Sequence, residues 1–224
     1  MSKYRFSPTS LSLFKECPRC FWMDKVKKIK RPRGIFPSLP GGMDAVLKKY
    51  FDIYRKNGKL PPEIDNKVEG SLFSDMKKLD NWRNWRKCEL QYIDDKNDAC
   101  LTGALDDCIV KDGFYVPLDY KTRGWALKEN PAKYYQLQLD CYCLMLESSG
   151  CKTCKKGYLV FYWPLAVTED GIVKFHVEPI LLSTDIGNAK DMVAKASNIL
   201  NSDVPPVQGE SCQYCAYLNI SGRY

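Results

Sequence analysis

The stretch that decides the fold reads GALDDCIVKDGFYVPLDYKT and spans residues 103–122. Its two apolar runs flank Asp112-Gly113, a dipeptide that strongly indicates a β-hairpin. A two-residue turn at this dipeptide pairs Lys111 with Phe114 directly across the hairpin. The stretch therefore predicts two antiparallel strands joined by a tight turn.

This register gathers charge at the open end of the hairpin. It places Asp106 opposite Asp119, and carboxylates that face each other in a ladder repel. A divalent cation between them reverses the sign of that interaction. A bulge at Pro117, which cannot donate a ladder hydrogen bond, would instead bring Asp107 beside Asp119. With Lys121 one strand period after Asp119, the hairpin predicts a metal site built from carboxylates and flanked by an ammonium group.

Composition describes a globular chain with a mildly basic balance. The chain has 224 residues, 45% of them hydrophobic and 27% charged, which suffices for one well-buried core. No apolar run is long enough to span a membrane, and no signal peptide is visible, so we expect a cytoplasmic protein. Its 11 cysteines should then be thiols or metal ligands. The net charge of +7 favours polyanionic partners.

A cluster of cations lies in residues 25–34, where six of ten residues are lysine or arginine. This segment is either a solvated loop or a segment that contacts phosphates without reading sequence. Histidine, by contrast, is nearly absent: His176 is the only one and falls in an alternating stretch that predicts a strand. That scarcity argues against Ser-His-Asp hydrolysis and histidine-ligated zinc enzymes. Any hydrolytic chemistry should therefore use carboxylates and lysine.

The elements outside the hairpin follow from hydrophobic periodicity and from the residues that begin or end helices. They are a helix from Ser7 toward Cys20, a helix from Met43 to about Asn57, a short helix over 72–79, a strand over 89–93, a helix over 131–148, strands over 157–163 and 172–180, and a helix over 184–200. The order predicts a single α/β domain over residues 1–224, with a central mixed β-sheet flanked by helices.

Two matched cysteine pairs lie near the two ends of the chain, Cys17-Pro-Arg-Cys20 and Cys212-Gln-Tyr-Cys215. Each CxxC spacing lets two thiolates reach one metal, and two pairs complete a tetrahedral site. Such a site would join the ends of the chain across the fold. The entropy of closing so long a loop grows only logarithmically with length, so this is acceptable. Four thiolates suit zinc or an iron–sulfur cluster, and scattered core thiols are the alternative.

The remaining cysteines carry weaker signals. A third pair, Cys151-Lys-Thr-Cys154, lies in a lysine-rich connection and is assigned no ligand role. The others stand singly in patterned segments and are predicted to fill the core: Cys88, Cys100, Cys108, Cys141 and Cys143.

Four segments together resemble the PD-(D/E)XK nuclease superfamily in its RecB-like branch. The opening SPTSLSLFKECPRCFW, residues 7–22, is similar to that branch's N-terminal helix, which leads into a cluster cysteine. Gly103-Ala-Leu-Asp106 resembles the GxxD motif, Asp119-Tyr-Lys121 the (D/E)xK motif, and Gln138-Leu-Asp-Cys-Tyr142 the QxxxY motif. The branch includes the nuclease domains of RecB and AddB and the CRISPR-associated RecB-like exonucleases. The GxxD resemblance selects Asp106 over Asp107.

The resemblance implies a restriction-endonuclease-like fold and metal-dependent hydrolysis of DNA, as an exonuclease on single-stranded DNA or DNA ends. It implies protein partners in DNA repair or CRISPR adaptation without identifying them. The implied catalytic residues are Asp106, Asp119, Lys121, Gln138 and Tyr142. The implied ligands of magnesium or manganese are Asp106, Asp119, the Tyr120 carbonyl and Asp44, which stands where the branch commonly has a histidine.

The resemblance also implies a four-iron four-sulfur cluster on Cys17, Cys20, Cys212 and Cys215. Members with such a cluster often have a third C-terminal cysteine where this chain has Ser221, so zinc is the alternative cofactor. Two other functions stay open: a nucleic-acid-binding protein that keeps the fold but has lost cleavage, and an unrelated structural zinc protein.

Overall fold

The computed structural model describes residues 2–32, 38–87, 89–127 and 132–221. Its strands are β1 (Tyr4–Phe6), β2 (Ser71–Leu72), β3 (Gln91–Asp94), β4 (Ala99–Thr102), β5 (Asp107–Lys111), β6 (Phe114–Thr122), β7 (Lys156–Val167) and β8 (Val173–Ser183). Its α-helices are α1 (Pro8–Glu16), α2 (Pro18–Lys25), α3 (Ser38–Lys56), α4 (Met76–Arg83), α5 (Ala132–Ser148), α6 (Ile186–Leu200) and α7 (Gln213–Ile220). Three features of the sequence analysis lie outside the described residues: Cys88, Arg33-Gly34 of the basic segment, and Pro131 at the start of the long helix.

Strands β5 and β6 form the expected hairpin, with Lys111 paired to Phe114. Asp112 and Gly113 both have positive φ, 51° and 78°, as a type I′ turn requires. Pro117 pairs with Cys108 without a bulge, so the slipped register considered above is wrong. Pro117 has no N–H to donate, and it is accommodated because the pairing of β6 with β7 begins only at Leu118.

The hairpin lies inside a mixed five-stranded sheet of order β2-β5-β6-β7-β8. Strands β6 and β7 run parallel, and helix α5 makes the crossover that parallel strands need. A second sheet of order β1-β4-β3 has β1 parallel to β4. The mixed α/β class is therefore confirmed, although the structure divides its strands between two sheets where the sequence predicted one.

The first predicted helix is two helices, α1 and α2, and this corrects the expectation of one helix toward Cys20. Ser7 caps α1 by accepting a hydrogen bond from the Ser10 N–H. Cys17 then leaves the helical conformation, with φ −155° and ψ 102°. The break follows from Pro18, because the residue before a proline is pushed into extended backbone. Cys17 and Cys20 thereby fall at the start of α2 rather than at the end of one long helix.

Two other predicted boundaries are also corrected. Helix α3 begins at Ser38, ahead of Gly41-Gly42, because Pro40 is tolerated in a first helical turn. Helix α4 begins at Met76, later than predicted, because the Asp75 side chain caps it by accepting from the Lys78 N–H.

The central strands β6 and β7 are buried on both faces of the five-stranded sheet, whereas the edge strand β8 has no buried residue. Along β7, Leu159 and Phe161 pack into one apolar cluster, and Tyr158 and Val160 pack into another on the opposite face. This alternation explains the near-continuous apolar run of β7, which is typical of strands covered on both sides. Helix α5 covers the first face, and Leu137, Cys141, Leu144 and Met145 of this helix are all buried.

The single histidine has a structural setting. His176 on β8 is paired with Trp163 on β7, and their rings stack with centroids 4.4 Å apart. Within the described ranges, no helix combines the length and the apolar character that crossing a membrane would require.

Candidate active site and four-cysteine centre

Strand β6 carries two of the predicted site residues on the face that α5 covers. Leu118 and Tyr120 belong to the apolar cluster on the opposite face, so the alternation of the strand turns Asp119 and Lys121 toward α5. The Lys121 ammonium forms an ion pair with Asp119 Oδ2, and it lies 4.6 Å from the centre of the Tyr135 ring. Asp119 is only 1% exposed, so its charge depends on this local environment.

Gln138 of α5 links the members of this pair. Its Oε1 accepts a hydrogen bond from Lys121 Nζ at 2.9 Å, and its Nε2 donates to Asp119 Oδ1 at 2.8 Å. The same Nε2 lies 2.7 Å from the hydroxyl of Tyr142, one helical turn away. The Tyr142 hydroxyl is in turn 3.4 Å from Asp119 Oδ1. The amide therefore holds the carboxylate and the ammonium in a set orientation.

Asp106 immediately precedes β5 and lies beside the same group. Its Oδ2 accepts a hydrogen bond from the Tyr120 N–H at 3.2 Å. In an extended strand the N–H and C=O of one residue point to the same neighbouring strand, so the Tyr120 carbonyl is directed to the Asp106 side. The structure thus brings together Asp106, Asp119, Lys121 and the backbone of Tyr120.

Asp107 is engaged elsewhere. It is fully buried, and its Oδ2 lies 2.6 Å from Arg55 Nη2 and 3.1 Å from Arg83 Nη2. The Tyr120 hydroxyl donates a third contact to this oxygen at 2.7 Å. These partners compensate the buried charge of Asp107 on the face of the sheet away from α5. Asp106, not its neighbour, is therefore the aspartate beside Asp119.

Lys48 of α3 is a site residue that the sequence analysis missed. Its Nζ lies 2.9 Å from Asp106 Oδ1 and 2.8 Å from Asp44 Oδ2. Burial lowers the pKa of Lys48, but the adjacent Asp106 and Asp44 carboxylates outweigh burial and raise it overall. Asp44 is connected to the site through this lysine. The spacing of Asp44 and Lys48 on one helix was visible in the sequence, but their link to Asp106 depends on the tertiary fold.

The donor set fits a hard divalent cation. Asp119 Oδ2 is buried and accepts no hydrogen bond from the described residues, and its close contact is the ion pair with Lys121. The neighbouring donors are the Asp106 carboxylate and the backbone carbonyl of Tyr120. Carboxylate and carbonyl oxygens are the ligands that magnesium and manganese prefer.

Burial raises the pKa of Asp119 to about 7, and the nearby Asp106 carboxylate adds to the effect. The Lys121 ammonium opposes the shift without cancelling it. A cation bound beside this carboxyl would stabilise its ionised form and lower its pKa again.

The four terminal cysteines converge as predicted. All four are buried, and their sulfur atoms lie within 4.8 Å of one another. The Sγ–Sγ distances are 3.7 Å for Cys17 and Cys215, 3.8 Å for Cys20 and Cys212, and 3.5 Å for Cys20 and Cys215. The two ends of the chain therefore meet at one group of thiols that could hold a metal.

Backbone groups and one arginine surround these thiols. Burial alone would raise the pKa of Cys17, but N–H groups of Gly209 and Cys20 point at its sulfur and lower the pKa to about 7. Arg31, from the basic segment, donates to Cys212 Sγ at 3.1 Å and pairs with Glu16. This cation offsets the negative charge of thiolates, a role that composition did not reveal.

Gly209 is required at this junction. A Cβ at this position would lie 2.1 Å from the carbonyl oxygen of Glu16, so no larger residue fits without moving the backbone. The third cysteine pair does not join the centre: Cys151 is buried near Lys78, and Cys154 is exposed.

We predict that Lys48→Met destabilises the metal-free protein by roughly 1–3 kcal/mol, between the ranges for exposed and buried ion pairs. The reason is that Asp106 and Asp44 lose the cation that offsets their repulsion. Magnesium should stabilise this variant more than the wild type, because the ion would supply the missing charge. Thermal and urea unfolding with and without magnesium measure both effects. Lys49→Met, which removes the adjacent exposed lysine, is the control, and equal behaviour of the two variants would contradict the role of Lys48.

A second prediction concerns pH. The pKa of Asp119 is higher in the folded state than its ordinary value of 3.8, so folding takes up a proton between about pH 4 and pH 7. The free energy of unfolding of the metal-free protein should therefore fall as pH rises through this window, relative to Asp119→Asn. The slope approaches about 1.4 kcal/mol per pH unit where the carboxyl is protonated only in the folded state. Urea unfolding in EDTA from pH 4.5 to 8 tests this, and parallel curves for the two proteins would disprove it.

A family model described as the PD-(D/E)XK nuclease superfamily matches residues 75–220, which is more than half of the chain. The matched range contains the whole hairpin and helix α5, but not Asp44 or the first cysteine pair. No curated protein matches the sequence. The solved structure titled "Crystal structure of SSO0001" is similar with a TM-score of 0.44 and 16% identity, over 98% of this chain and 86% of that one. At that TM-score the similarity does not establish a shared fold. The RecB-like branch stays a prediction, whereas the family is shown: this chain belongs to the PD-(D/E)XK nuclease superfamily.

Proposed function

We propose that this protein is a divalent-metal-dependent deoxyribonuclease that hydrolyses phosphodiester bonds, acting as a RecB-like exonuclease on single-stranded DNA or DNA ends. The observation that carries the proposal is the set of contacts among Asp119, Lys121 and Gln138, with Asp106 alongside. Superfamily membership adds that the substrate is a nucleic acid.

In this proposal Asp106, Asp119 and the Tyr120 carbonyl hold magnesium or manganese. When bound, such an ion lowers the pKa of a water and neutralises charge on the phosphate. Lys121 donates hydrogen bonds toward the developing negative charge, from an ammonium that Asp119 and Gln138 orient. Tyr142 restrains Gln138, so the pair acts on the reaction by positioning Lys121 and Asp119.

One alternative function is supported by a specific observation. Lys48 pairs with Asp106, and Lys121 pairs with Asp119, so both carboxylates already have a cationic partner. A protein that binds nucleic acid through this fold without cleaving it would tolerate that arrangement. Salt-dependent DNA binding with no hydrolysis in manganese would favour this alternative.

We expect Asp119→Ala and Lys121→Ala each to lower metal-dependent cleavage by at least about 100-fold, because each removes a group that acts on the charge of the reaction. The measurement is the rate of degradation of a labelled single-stranded oligonucleotide in magnesium and in manganese. Lys174→Ala, at an exposed position of β8, is the matched control for loss of a lysine. Wild-type rates in either site variant, with an unchanged circular dichroism spectrum, would remove the proposed site.

For the four cysteines, we propose that they hold one metal ion, with zinc as the first candidate. Sulfurs bound to one zinc at about 2.3 Å occupy the corners of a tetrahedron and lie about 3.8 Å apart. The three sulfur distances of 3.5–3.8 Å are close to that value. In a four-iron cluster each thiolate binds a different iron, so the sulfurs must stand further apart than around a single ion.

Metal analysis after anaerobic purification tests this assignment. We expect one zinc per chain and no visible absorption band, with loss of the metal and of stability in the Cys212→Ser, Cys215→Ser double variant. Cys151→Ser, Cys154→Ser removes an equally spaced pair and should leave the metal content unchanged. Iron together with sulfide and a brown colour would overturn the single-ion proposal and support the iron–sulfur cluster that the resemblance implies.

A further inference from the structure

We propose that a cleft beside the candidate active site binds an unpaired nucleotide of a single strand, with the base stacked on Trp85 and the backbone held by Arg5 and Arg86. This inference rests on the proposed nuclease function and names the part of the substrate that the site would recognise. None of these three residues belongs to the motifs that carry the family resemblance.

The cleft has a volume of about 680 Å³ and lies beside the candidate catalytic group. Gln138 and Tyr142 line it, and both contact Asp119 on their other side. The other lining residues come from the start of α1, from the segment around Gly103, and from the connection between α4 and β3. A strand lying in the cleft would therefore contact the two residues that adjoin Asp119.

At Gly103 the wall of the cleft packs closely against two helices. A Cβ at this position would lie 2.8 Å from Met145 Cε of α5 and 3.5 Å from Pro8 Cδ of α1. The absence of a side chain lets the segment pack against both helices while its backbone lines the cleft. The wall next to the catalytic residues is thus held in place by packing.

Trp85 provides a large aromatic side chain that is mostly exposed to solvent. The residue is 67% exposed, whereas the neighbouring Trp82 is buried in the core. The guanidinium of Arg86 lies 5.3 Å from the centre of the Trp85 ring. Flat aromatic rings and arginine side chains of this kind stack on nucleobases, and the stacking contributes about 1–3 kcal/mol per base.

The charge of the cleft suits a phosphate backbone. Arg5 and Arg86 both line the cleft, and Arg5 Nε lies 3.5 Å from Thr102 Oγ1, another lining residue. None of the described residues that line the cleft is acidic. Ser7 and Pro8 also line it, so the positive end of the α1 dipole adds to the two arginines.

These features favour a single strand over a duplex. A base inside a duplex is already stacked and paired, so its face cannot lie on a tryptophan, whereas an unpaired base exposes that face. The volume also falls within the range of about 300–1,000 Å³ of pockets for small ligands, which suits a nucleotide rather than a double helix.

The test is binding without cleavage, measured by fluorescence anisotropy of a labelled oligo(dT) strand in buffer without magnesium or manganese, with a duplex of the same length in parallel. Trp85→Ala should weaken single-strand binding by roughly 5- to 150-fold, the range that corresponds to the stacking energy of one base. Trp85→Phe keeps an aromatic face and should stay within about threefold of the wild type. The quenching of tryptophan fluorescence by the bound strand should largely disappear in Trp85→Ala.

The charge is tested separately. Arg5→Gln and Arg86→Gln should each weaken binding and reduce its salt dependence. The control is Lys195→Gln, at an exposed position of α6, which should alter affinity and salt dependence only by the small effect of one lost net charge. Thermal unfolding checks that each variant is folded.

The proposal is overturned if folded Trp85→Ala binds the single strand like the wild type, or loses single-strand and duplex binding equally. It is also overturned if the wild-type protein binds no oligonucleotide. Because the assay contains no magnesium or manganese, its result is independent of cleavage. Loss of binding in Trp85→Ala would support the cleft even if the wild type failed to hydrolyse DNA.

Discussion

The register of the β5–β6 hairpin is the constraint on which the rest of the site depends. Side chains alternate between the two faces of a strand, so a slip by one residue would exchange the faces of an entire strand. In the observed register Asp106 stands beside Asp119, and Asp107 enters a buried ion cluster with Arg55 and Arg83. A slip would take Asp107 away from the two arginines and leave them to share Asp52, which is costly for buried charges. The turn at one end and this ion cluster at the other therefore secure the same pairing.

The two faces of β6 serve different purposes. On one face, the Tyr120 ring packs edge to face against the ring of Phe51 from α3, and both belong to a larger apolar cluster. The other face concentrates polar groups that would be unstable in isolation, since burial disfavours the ionised form of Asp119. Lys121, Gln138 and Lys48 offset that cost by placing cations and hydrogen-bond donors around the carboxylates. A site held in this way keeps its geometry before any substrate arrives.

The four-cysteine centre and the cleft are connected through helix α1. The helix begins at the cleft with Ser7 and Pro8, and it ends against Cys17 and the backbone of Gly209. A metal bound by the cysteines would anchor the far end of this helix and, through it, one wall of the cleft. Arg31 joins the same junction by contacting both Glu16 of α1 and Cys212. The ends of the chain thus stabilise a wall that is formed by residues early in the sequence.

Local chemistry in the sequence determined the hairpin, its turn, the burial of α5 and the two CxxC motifs that could each supply two thiolates to a metal. Each of these depends on residues close in sequence or on a periodic pattern, so propensity and turn geometry suffice to predict them. Cys17 shows the limit of periodicity alone, because the proline after it ends one helix and begins another. What only the tertiary structure decided is which distant groups meet: Lys48 with Asp106, Arg31 with Cys212, and Trp85 with the cleft beside the candidate active site. Those contacts join segments tens of residues apart or more, and no local rule encodes them because their geometry comes from how helices and sheets pack on one another.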